Sequence, residues 1–101
     1  MAAKTLEDWQ KMRDGLSYRN QAFIDGKYVD AVSGKTFETI SPIDGRVLAN
    51  IAECDKEDVE IAVKSARRAF EAGKWSEAAP AHRKAVLLKL AALVRENSEE
   101  L

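Results

Sequence analysis

Cys54 is the one thiol in the chain and the first residue to test for nucleophilic chemistry. A thiol nucleophile needs a base to activate it, and the base needs a third group to orient it. Cys54 is flanked by Glu53, Asp55 and Lys56, with no histidine nearby in sequence, so a structural cysteine is expected. His82, the one histidine, sits beside Arg83 and Lys84. No carboxylate or serine is spaced to complete a triad with it, and a surface histidine is expected. Lys64, Arg67 and Arg68 are charged for phosphate, but Glu60 and Glu71 share their helix face, which reads as solvated surface. Gly26, Gly34 and Gly45 are spaced for turns. No Gly-x-Gly-x-x-Gly and no phosphate loop occurs, so the chain carries no nucleotide-binding fingerprint. A single cysteine makes neither an internal disulfide nor a zinc site.

The elements that carry these residues change period once, near Asp55. Leu6, Trp9, Met12 and Leu16 recur at helical spacing and predict a short amphipathic helix over 6–16, weakened at its end by Gly15. From Phe23 to Ala52 the pattern is strand and turn. Phe23-Ile24 and Tyr28-Val29 flank Asp25-Gly26, a pair able to supply both positive φ angles of a two-residue hairpin turn. Ser33-Gly34 predicts a second turn, Thr36–Ile40 a strand, and Pro42 its stop, because proline has no N–H for the ladder. Asp44-Gly45 turns the chain into a further strand with Val47, Ala49 and Ile51 on one face.

After Asp55, a candidate N-cap, the spacing is helical, and Asp58 favours the positive helix end. Val59, Ala62, Val63, Ala66, Ala69 and Phe70 form one stripe, and Gly73 can close the helix in a left-handed conformation. Pro80 is a favoured first residue for a second helix. Val86, Leu87, Leu90, Leu93 and Val94 make its main stripe, with Leu88 and Ala81, Ala85 and Ala92 on the far side. A helix apolar over most of its circumference is one buried on more than one side. One helix and two short hairpins offer too little to cover it. Asn97 can stop this helix, and Ser98-Glu99-Glu100 reads as the cap and first turn of another, which points to truncation at Leu101. The aromatics Trp9, Phe23, Tyr28, Phe37, Phe70 and Trp75 read as core or edge packing.

Composition excludes several classes. The chain has 101 residues, 46% hydrophobic and 33% charged, with a formal net charge of -1. Such a balance suits a soluble globular protein and gives no field that attracts nucleic acid or an anionic membrane. Met1 to Trp9 holds no apolar signal core. The run Ala85–Val94 is too short to span a bilayer and is interrupted by Lys89. A cytoplasmic protein is expected, with neither nucleic acid nor membrane as partner.

The order of these pieces resembles the N-terminus of the aldehyde dehydrogenase superfamily. The matching text is Phe23-Ile24-Asp25-Gly26-Lys27-Tyr28-Val29-Asp30, then Ser33-Gly34-Lys35-Thr36-Phe37-Glu38-Thr39-Ile40-Ser41-Pro42, then Asp44-Gly45-Arg46-Val47-Leu48-Ala49. It continues through Asp58-Val59, Ala62-Val63, Ala66-Arg67 and Ala69-Phe70 to Trp75-Ser76, Pro80, Arg83 and Glu99-Glu100-Leu101. Ser41 stands where most of the family has asparagine. Ser41-Pro42-Ile43-Asp44-Gly45-Arg46, Glu53-Cys54-Asp55, Lys74-Trp75-Ser76 and Ala79-Pro80 resemble a narrower group. That group oxidises γ-glutamyl-γ-aminobutyraldehyde or 4-guanidinobutyraldehyde in putrescine and arginine breakdown.

The resemblance implies an α/β fold: the N-terminal part of a coenzyme-binding domain, with a short helix, β-hairpins and then two long helices. It divides the chain into a helical lead over 1–20, hairpins over 21–53 and helices over 55–101, with the catalytic domain absent. It implies oxidation of an aldehyde to a carboxylic acid with NAD or NADP, through a cysteine thiolate and a glutamate base that both lie downstream. No catalytic or cofactor-binding residue is then expected here. The expected partners are an aldehyde substrate, the rest of the catalytic chain and further copies in a homo-oligomer. Related betaine-aldehyde enzymes hold a structural monovalent cation, potassium or sodium, at positions matching Thr39 and Ile40, through oxygen atoms that suit a hard ion. The other reading is a non-catalytic interaction module that docks on a full-length homologue through its second long helix.

Overall fold

A computed structural model describes residues 2–101. Three helices and four strands follow in the order α1 (Leu6–Asp14), β1 (Ala22–Ile24), β2 (Lys27–Val29), β3 (Thr36–Ile40), β4 (Val47–Ala52), α2 (Lys56–Glu71) and α3 (Pro80–Glu96). The chain divides into two compact units, the first ending at Ile61 and the second running from Ala62 to Leu101.

In the first unit, α1 starts from a reciprocal cap at Thr5. Its hydroxyl accepts from the Asp8 N–H at 3.2 Å, and the Asp8 carboxylate accepts from the Thr5 N–H at 2.8 Å. Two backbone donors that a helix start leaves orphaned are thereby satisfied. The sequence pattern alone did not reveal this cap. The helix stops at Asp14 rather than Leu16, because the Gly15 N–H turns onto Lys11 and Met12 carbonyls.

The strands form two separate antiparallel pairs, β1 with β2 and β3 with β4. The first hairpin has the expected turn: Asp25 takes φ 54° and Gly26 φ 72°. Phe23 opposes Tyr28, and their rings meet edge to face at 5.1 Å. The second pair runs from Thr36 opposite Ala52 to Ile40 opposite Val47, extended by the Glu53 N–H donating to the Lys35 carbonyl. Its register shifts between Thr39, which faces Ala49, and Ile40, which faces Val47. Leu48 is therefore the extra residue of a β-bulge, where ladder pairing is interrupted.

In the second unit, Gly73 takes φ 69° directly after α2 and is buried, as expected of a left-handed helix end. The Arg83 guanidinium of α3 donates to the Ser76 carbonyl at 3.2 Å, fixing the start of the helix against the preceding loop. Asn97 ends α3, its amide donating to the Leu93 carbonyl at 2.8 Å. Beyond it the chain makes turns closed on the Asn97 carbonyl by Glu100 and Leu101 N–H groups, with no further helix.

Very little is buried. Among the described residues Ala31 is the one buried apolar side chain, with Ser41 and Asp58 the buried polar ones. The six aromatics expected in a core or at its edge are all exposed, Phe23 and Phe70 at 64%. Two-stranded ribbons and single helices bury too little of one another to enclose a ring.

Candidate functional site

Asp58 is the most constrained charged group in the chain. It stands at the third position of α2 and is 4% exposed. One carboxylate oxygen accepts from the Asp55 N–H at 2.9 Å, closing the helix start. The other accepts from the Val32 N–H at 2.9 Å, across 26 residues of chain. These backbone donors, Asp55 first and Val32 second, hold its pKa below the usual carboxylate range, against the opposing cost of burial. The sequence assigned it only a favourable charge at a helix end. Its long-range bond carries no local signal that could have shown it.

Cys54 is a free, exposed thiol beside a small hollow lined by Ser33, Lys35, Glu53 and Asp55. No histidine lines that hollow. His82 lies in the first turn of α3, its N–H donating to the Ala79 carbonyl. Cys54 and His82 thus fall in different units and carry no shared site, as their separation in sequence suggested.

A larger hollow of about 510 Å³ lies between the end of α1 and β4, lined by Arg13, Asp14, Ser17, Tyr18, Arg46 and Leu48, among others. Its charges are mutually satisfied. Arg13 holds Asp14 at 2.8 Å, and Arg46 reaches Asp14 at 3.8 Å and Asp44 at 3.6 Å. The Arg13 hydrogen bond lowers the pKa of Asp14, and the Arg46 N–H does the same for Asp44. Exposed pairs of this kind contribute about 0–1 kcal/mol each. The hollow holds no nucleophile paired with a base, so it is a surface fold rather than a reaction centre.

Thr39, half-buried, and Ile40, exposed, stand side by side on β3 at the bulge. Interrupted pairing there leaves neutral backbone oxygens, together with the Thr39 hydroxyl, as donors of the kind a hard cation takes. Among the described residues no group of three or more His, Cys, Asp or Glu could hold a metal. No hollow has the glycine-rich backbone that cradles a dinucleotide phosphate, so these residues do not form a nicotinamide-coenzyme site. No helix among the described residues is long and apolar enough to cross a membrane.

Residues 28–101 match the family model described as the aldehyde dehydrogenase family. This chain belongs to the aldehyde dehydrogenase family. It is 48% identical over 95 residues to an aminoacetaldehyde dehydrogenase of Pseudomonas aeruginosa, covering 94% of this chain and 19% of that protein. The crystal structure of a γ-glutamyl-γ-aminobutyraldehyde dehydrogenase from Burkholderia cenocepacia superposes with a TM-score of 0.90 at 54% identity, over 96% of this chain and 20% of that one. An indole-3-acetaldehyde dehydrogenase solved with NAD+ gives a TM-score of 0.90 at 48% identity, over 97% and 20%. The chain thus spans about one fifth of the length of the family members it matches. Its short helix, paired hairpins and two long helices are the N-terminal part of this α/β family fold.

Proposed function

We propose that this chain is the N-terminal segment of an NAD(P)-dependent aldehyde dehydrogenase that oxidises an aminoaldehyde from putrescine or arginine breakdown to its carboxylic acid. The observation that carries the reading is the 54% identity and near-complete superposition on the γ-glutamyl-γ-aminobutyraldehyde enzyme. The aminoacetaldehyde enzyme supports the same substrate class. In this reading residues 1–20 lead, 21–53 form the hairpins and 55–101 the helices, and the whole enzyme is a cytoplasmic homo-oligomer. The coenzyme, when bound, accepts the hydride; residues outside 1–101 hold it and supply the nucleophile and base. The part of this chain is positional: it holds its hairpins and helices in place through the Asp58 and Arg83 ties. Docking on an intact homologue has less support, because such a homologue already contains the matching segment.

Thr39 and Ile40 contribute oxygens to a structural potassium or sodium ion in the complete enzyme. The β-bulge between them supports this part of the proposal. Potassium chloride should raise the Tm of the complete protein above that in choline chloride at equal ionic strength. Equal Tm values in the two salts remove the cation from the account.

The assay for the activity compares the isolated chain with the protein of the complete reading frame that carries it. Aldehyde-dependent NADH or NADPH formation is expected from the complete protein alone, with aminoaldehydes preferred over acetaldehyde.

A further inference from the structure

The apolar face of α3 has no cover within its own unit. Leu87, Leu90, Leu93 and Val94 are each 45–55% exposed, and Leu88 on the opposite side is 58% exposed. On α2, Val63 and Phe70 are 60% and 64% exposed. Each of these stripes carries an apolar depression. One of about 350 Å³ is lined by Val63, Ala66, Arg67 and Phe70. The other, about 330 Å³, is lined by Leu90, Leu93, Val94 and Leu101, with Asn97 and Glu100 at its edge. Soluble monomers rarely leave contiguous apolar patches beyond a few hundred Å². Burying one such side chain fully is worth about 1.5–3 kcal/mol.

The chain keeps its backbone path inside proteins about five times its length, with a TM-score of 0.90 over 96% of its residues. A surface that is bare here and unchanged in path there is matched to the polypeptide those longer chains add. An intact homologue already carries its own copy of this segment, so its matching surface is filled. We propose that the α3 stripe, with Val63, Ala66 and Phe70 of α2, is a docking surface for an aldehyde dehydrogenase body that lacks its own N-terminal fifth. The partner's face is apolar and uncharged opposite Leu90 and Leu93. The chain binds it in trans as a separate polypeptide. This rests on reading the chain as a segment of that enzyme.

The test coexpresses the tagged chain with the Pseudomonas aeruginosa aminoacetaldehyde dehydrogenase from which the 95 matched residues are removed. The expected result is a soluble remainder only in the presence of the chain, and an equimolar complex on size-exclusion chromatography. Leu90→Asp should abolish the complex. Val94→Asn, which is uncharged, should weaken it while circular dichroism shows α3 retained. His82→Ala, away from the stripe, should leave it intact. Three results overturn the proposal: a remainder that behaves the same with and without the chain, soluble or not; a complex indifferent to Leu90→Asp; or a dimer of the chain alone that Leu90→Asp dissociates. A complex without aldehyde-dependent NADH keeps the docking surface and counts against the proposed activity. Turnover by the complete reading frame with no complex in trans overturns the docking surface alone.

Discussion

Asp58 shows how one carboxylate organises a segment with almost no core. It holds the start of α2 and the turn around Val32 in the same grip. Its folded pKa is lowered, so its contribution is fully present above the unfolded value and is lost as pH falls through the folded one. The complete protein should therefore lose stability on acidification below the ordinary carboxylate range, about pH 4. Asp58→Asn should flatten that part of the profile and lower Tm by several degrees at neutral pH, as followed by thermal melts across pH. A variant with an unchanged acid limb would contradict this role. Gly73 sets a second residue-scale constraint. At φ 69° a side chain is strained, and an added Cβ would meet the Glu77 carboxylate at 2.6 Å. Gly73→Ala should cost about 1–2 kcal/mol, read from urea midpoints of the complete protein.

At the scale of elements, local chemistry decided most of what was legible. Asp25-Gly26 gave both positive φ angles, Pro80 started α3, Asn97 ended it, and the period change near Asp55 fell one residue from the start of α2. These signals are local, so one sequence displays them. The Thr5–Asp8 cap was missed because its first apolar residue, Leu6, drew attention away from the residue before it. Thr5→Ala should cost α1 about 1 kcal/mol and fray it, visible as lost helical circular dichroism in a peptide spanning 2–18. The bulge at Thr39 and Ile40 was also invisible, since the alternation of β3 predicts a regular ladder and the slip resides in Leu48 of β4. Helix α3 gave the opposite lesson. Its all-round apolar pattern announced a buried helix, and its exposure here marks a face made for another layer.

At the scale of the whole molecule, family and fold were readable because order and spacing of many weak motifs add up where no single one decides. The candidate site was readable mainly as an absence. Cys54 and His82 lie in separate units, the arginine–aspartate hollow is self-neutralised, and no phosphate-binding loop occurs. Long-range bonds such as Asp58 to Val32 link residues whose spacing in sequence has no period, and only coordinates reveal them. The central claim is that this chain shapes and supports an aldehyde dehydrogenase without doing its chemistry. The most direct measurement is NADH formation from γ-glutamyl-γ-aminobutyraldehyde and NAD, run in parallel on the purified chain and on the complete reading-frame product. The account predicts aldehyde-dependent turnover from the complete protein and none from the chain. Turnover by the pure chain, or a folded complete protein silent with every aldehyde, would contradict it.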